Sequence, residues 1–202
     1  MTLTGAATAL AAASAFWGTP VHADMATALS LCLDTDLDIQ ARAAAFENQG
    51  WSPVADENEL LEIHASGATL LALDALEPSS WSETRTWAYG FAQELLRRPE
   101  FVKAIALRSP SFHSAIVLQR NLAGLQTCLY AGNDPDLGPV AQILDGSILR
   151  TIGSIQRIRG DGPKSSIAAH FLDETGRAQI APPLQFGATF SVVLDRQLGD
   201  LQ

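Results

Sequence analysis

The sequence predicts an α+β fold: N-terminal helices packed on one face of a mainly antiparallel C-terminal sheet of about four or five strands. Three observations carry this expectation. The apolar period changes from about 3.6 residues to about 2 near Ser114. Reciprocal capping signatures stand upstream of that point and hairpin-like runs downstream. Helices segregated before strands belong to this class. With the N-terminal segment set aside, residues 24–202 suit a single domain, long enough to bury a core without metal or many disulfides.

The first 23 residues, MTLTGAATALAAASAFWGTPVHA, read as a cleavable secretory signal peptide. They carry no charge, the run from Ala6 to Trp17 is small and apolar, Gly18 and Pro20 end it, and Val21-His22-Ala23 offers a small-residue cleavage site. Cleavage after Ala23 makes Asp24 the mature N-terminus. The basic n-region is missing, since the first basic residue is Arg42, which points to a translation start upstream of Met1. The run is too short and broken for a transmembrane helix, so no membrane anchor is expected in the mature chain. Cys32 follows Leu31 and lies beyond the charged Asp24, the wrong place for a lipid-modified cysteine.

Helical spacing predicts a short helix over 26–33 and a second, capped by Asp34 or Thr35, that stops at Gly50, with Trp51 packed against its end. A third begins at Asp56 with Glu59 three residues on, is interrupted at Ser66-Gly67, and continues through the apolar run to Pro78. Ser80 and Glu83 start a fourth, whose core face is Trp81, Thr84, Ala88, Phe91 and Leu95, leaving Trp87 at the surface. Pro99 ends it before a short helix over 100–107. Residues 114–120 and 125–131 form a hairpin, 139–144 a turn or two of helix, and 153–159 a further strand. Residues 166–173 and 186–196 are the arms of a second hairpin, with an irregular connection because of Pro182-Pro183.

Both cysteines fall in the mature chain, and an even count in an oxidising compartment predicts a disulfide between Cys32 and Cys128. That pairing leaves Cys128 no role as a nucleophile. No phosphate-binding loop, nucleophile elbow or Cys-x-x-Cys is present, so no catalytic, cofactor or metal residues are assigned. The nearest approach to a metal pattern is His170 with Asp173 and Glu174, but strand alternation sends two of the three to opposite faces. Glu62 and His64 are two apart on a helix and do not share a face. Ser111 and His113 sit in a turn, which explains them without chemistry. Arg150, Arg157 and Arg159 form a local positive cluster that reads as ordinary surface charge, with an anion contact as the alternative.

With 13 Lys and Arg against 22 Asp and Glu, a net charge of −9, nucleic acid is excluded as a partner. The expected function is that of an exported, periplasmic or extracellular, soluble and acidic protein of the cell envelope, non-catalytic, binding an unknown protein or small-molecule ligand. The alternatives are an exported hydrolase with a dispersed site, in which His113 or His170 meets a carboxylate, and a structural subunit of an envelope assembly.

Overall fold

The computed structural model describes residues 20–73, 76–97, 102–121, 124–144, 148–162 and 165–194. Two helices come first, α1 (Pro20–Leu33) and α2 (Ile39–Asn48), and then a two-residue strand, β1 (Ser52–Pro53). Helices α3 (Glu57–Leu73) and α4 (Trp81–Leu96) follow it. The meander β2 (Val102–Arg108), β3 (Ser114–Asn121) and β4 (Gln126–Gly132) leads to α5 (Gly138–Ile143). A second meander comprises β5 (Ile148–Ile152), β6 (Ile155–Gly162) and β7 (Ser165–Leu172), and α6 (Glu174–Arg177) links β7 to β8 (Ala188–Leu194). The strands form one antiparallel sheet in the order β1-β2-β3-β4-β8-β7-β6-β5.

The α+β class therefore stands, with corrections. The sheet has eight strands, not four or five, and α5 and α6 lie among the strands rather than before them. The helix expected over 100–107 is instead β2 from Val102 on: all seven residues of the strand pair with β3 and Leu107 is buried in the core. A short apolar run fits either period, so the partner strand decides. Strand β5 joins β6 through Gly153-Ser154, with Gly153 at φ +55 as a tight hairpin turn requires. Helix α3 is continuous through Gly67, whose missing side chain lets the helix approach the sheet. An added Cβ would stand 3.0 Å from Leu129 Cδ1. The cap of α2 is Asp38, which accepts from the Ala41 amide at 2.8 Å, in place of Asp34 or Thr35.

Alternation along the strands splits the sheet into two faces, and helices cover both. On one face α1, α2 and α5 bury Met25, Leu29, Phe46 and Val140 against Ile116, Tyr130, Phe190 and Val192. Buried Arg42 ties the end of α1 to the α1–α2 connection here, donating to the carbonyls of Leu31, of Asp34 at 2.8 Å and of Leu37 at 2.9 Å. On the opposite face α3 lies across the strands with α4 docked on it. Ile63 packs on Ala115, Val117 and Ala131, while Leu70, Leu73 and Trp81 pack on Ile155 and Leu172.

Cys32 on α1 and Cys128 on β4 meet at disulfide distance, with Cα atoms 5.8 Å apart. Helix α1 runs through the expected cleavage point between Ala23 and Asp24. Residues 1–19, most of the expected signal peptide, lie outside the described residues. Among the described residues, no helix is long and apolar enough to cross a membrane.

Candidate functional site

A groove of about 480 Å³ lies between α3, α4 and the sheet, on the face opposite the disulfide. Its helical wall is made by His64, Ala68 and Leu71 of α3 and by Phe91 and Leu95 of α4, spaced at helical intervals that bring them to one side. Its floor is the alternate residues of four strands: Gln119 on β3, Leu129 on β4, Thr189, Ser191 and Val193 on β8, and Ser166, Ala168 and His170 on β7. Arg159 of β6 closes the far side. From β3 to β6 the groove crosses four strand spacings, roughly 19 Å.

The helical wall is half open. Leu71 is 52 % and Phe91 51 % exposed, and Trp87, 60 % exposed, stacks on Phe91 with ring centroids 5.6 Å apart. The buried stripe of α4 is Trp81, Arg85, Ala88 and Ala92, so Arg85 takes the place expected for Thr84, and Phe91 turns to the groove mouth instead of the core. A buried guanidinium is tolerable there because Glu62 accepts from it through both oxygens, at 2.8 and 2.9 Å, and Tyr89 lies under it. The pairing of Glu62 is thus with Arg85, not with His64.

His64 is 7 % exposed, and burial pushes its imidazole down to about 4, so the ring is neutral near pH 7. The Gln119 amide lies 3.1 Å from its Nε2. His170, also buried, lies on the same sheet face, paired across the strands with Arg157 on one side and Thr189 on the other. Arg157 in turn stands directly opposite Arg150 on β5, and Arg159 follows two residues along the same face of β6. The three arginines of the sequence cluster are therefore gathered on the groove face of the second meander.

The remaining candidates are not assembled into a site. Asp173 caps α6, accepting from the Gly176 amide at 2.8 Å, and Glu174 is exposed in the first turn of α6, so neither joins His170. Among the described residues no three His, Cys, Asp or Glu side chains gather as a metal site. Ser111 donates to the Asp24 carboxylate and contacts Ser109 Oγ at 2.9 Å. His113 is exposed, and its backbone amide lies 3.2 Å from Ser111 Oγ. The group beside Ser111 is thus a carboxylate and not an imidazole. Close by, Tyr130 donates to Asp134 Oδ2 at 2.6 Å, and burial together with that carboxylate holds the phenol well above its usual value. These polar contacts tie the start of α1 to the β2–β3 turn and brace the end of β4.

Comparison with protein-family models, with curated proteins and with solved structures finds no match to the chain. The sequence pointed to the three arginines but not to the groove. Its wall comes from residues 64–95 and its floor from residues 119–193, so no local spacing links them.

Proposed function

We propose that this chain is an exported, non-catalytic binding protein and that the groove between α3, α4 and the sheet holds a small molecule. One observation carries the reading: a concavity of about 480 Å³, within the range of small-ligand sites, joins an apolar wall to a floor of hydroxyl, amide and imidazole groups. Export is supported by the apolar leader of residues 1–23 and by the Cys32–Cys128 pair. Ser111 lacks an imidazole base and His170 stands apart from Asp173, so the hydrolase alternative draws no support from either pair.

Small neutral and charged compounds titrated into the labelled full chain test the binding reading by amide shifts. Shifts are expected at Gly67, Ala68, Gln119 and Ser191 and should vanish in Ala68→Trp, where the indole fills the groove. Shifts confined to the α1–α2 side, or unchanged in Ala68→Trp, would sink the proposal. Intact mass of protein from the producing cell, before and after reduction, tests export: loss of residues 1–23 with two thiols released only on reduction is expected.

A further inference from the structure

We infer that the ligand of the groove is a single-chain amphiphile with an anionic head, its alkyl tail against α3 and α4 and its head over the arginines of β6. This names the ligand of the site proposed above and rests on that reading.

Charge is the first argument. In a chain of net charge −9, the described residues lining the groove include one guanidinium, Arg159, and no carboxylate. The wider face repeats the bias. Arg150 and Arg157 are direct cross-strand neighbours, a like-charged pairing that normally costs stability, and Arg159 lies two residues further along β6. Across the described strands β5 to β8 the sole carboxylate is Asp161, beyond Arg159 on the same face of β6. Three guanidiniums gathered on one face of a chain of net charge −9 are matched to an oxyanion.

Shape and polarity are the second. The groove is polarised along its length: at the β3 end His64 and Gln119 form a neutral pair, and formal charge enters only at the β6 end. Between them Leu71, Phe91, Leu95, Leu129 and Val193 offer an apolar lining. Leu71 and Phe91 are about half exposed, apolar surface that a bound tail would remove from water. Ser166 and Ser191 bring hydroxyls to the floor, and Ala168, the cross-strand neighbour of both Arg159 and Ser191, leaves room for a head group. A span of roughly 19 Å accommodates an extended alkyl chain with its head. A carboxylate and a phosphate monoester share this chemistry.

Calorimetric titration of the full chain at neutral pH separates the elements, with each probe below its micelle-forming concentration. Decanoate and decyl phosphate carry tail and anion, decanol the tail alone, decyltrimethylammonium the tail with the opposite charge, and acetate the anion alone. Decanoate or decyl phosphate should bind one to one, about tenfold or more tighter than decanol or decyltrimethylammonium; the tighter of the two identifies the head, and acetate should not bind. Arg159→Gln should remove most of that preference and Arg159→Lys restore part of it, with both variants melting near the parent. Ala68→Trp should abolish binding.

Equal affinity for decanoate, decanol and decyltrimethylammonium, lost in Ala68→Trp, overturns the anionic head and leaves the groove as the ligand site. Failure of every decyl probe, with other small compounds still shifting the groove amides, overturns the amphiphile alone. Tight decanoate binding unchanged in Ala68→Trp overturns both readings.

Discussion

The two meanders of the sheet are built alike and finished differently. Strands β1–β4 carry helices on both faces: α1 and α2 on one side, and α3 with α4 on the other. Strands β6–β8 share the main core on the first face. On the second, α3 covers only the end near Ile155 and Leu172, leaving Ser166, Ala168 and Arg159 to line the groove. Residue choice follows the cover. On that face β3 and β4 present Ala115, Val117, Leu129 and Ala131, while β6 and β7 present Arg157, Arg159, Ser166 and His170. On that face one half presents apolar packing residues and the other polar and charged ones.

If the covered half carries the stability, the largest loss should come from its cross-link. Replacing both Cys32 and Cys128 by Ser should cost on the order of 4 kcal/mol in urea unfolding, since the bridge closes a loop with a sequence separation of 96. An unchanged midpoint would mean that the bond does not form in the isolated protein. Next comes the α3–α4 joint. Glu62→Gln leaves the buried Arg85 guanidinium without its counter-charge and should cost about 3 kcal/mol. Adding Arg85→Met should recover most of the loss, because an apolar side chain suits that position better than a bare charge. No recovery would place the loss elsewhere in the joint.

His64 stands at the seam between the halves, on α3 and over Gln119, with His170 and Arg159 the other titratable or charged side chains lining the groove. Its folded-state value of about 4 lies below the 6.5 of an exposed imidazole. The neutral form is therefore the native one, and its contribution is fully present above pH 6.5. As pH falls, the unfolded chain takes up a proton that the folded chain refuses. Between pH 6.5 and 5 this should cost about 2 kcal/mol, with further loss towards pH 4. His64→Gln should flatten the unfolding midpoint across that window, leaving only the slope due to other groups. An unaltered slope would assign the acid sensitivity elsewhere.

Local signals foretold what is locally determined. Asp56 and Glu59 announced α3: the Asp56 carboxylate accepts from the Glu59 amide at 3.1 Å, while the Glu59 carboxylate accepts from Arg108 at 2.8 Å. The apolar runs around Ile116 and Leu129 announced the first hairpin. What stayed hidden is what another part of the chain decides. Residues 102–108 are a strand because β3 pairs with them, and Arg85 is core because Glu62, 23 residues earlier, meets it. Phe91 follows helical period towards a core, yet it ends half exposed because the strands beyond α4 offer no cover at that point. The arginine cluster was visible as composition. Its gathering on one face needed the register of β5 against β6, which two isoleucine-rich runs cannot specify by themselves.

That register supplies the smallest and sharpest test of the comparison. Arg150 and Arg157 face each other directly, and such a like-charged pair should oppose folding by a few tenths of a kcal/mol up to about 1. Arg150→Thr removes the repulsion and places a strand-favouring residue on β5. Stability should rise by about 0.5 kcal/mol at low salt, and the gain should shrink as added salt screens the pair. Decanoate affinity should fall two- to threefold at the same time, less than in Arg159→Gln, because Arg150 is not among the groove-lining residues. A gain in stability with no loss of affinity would separate the strip from the ligand. A loss of stability would mean that Arg150 packs productively where it stands, and the second half would then resemble the first.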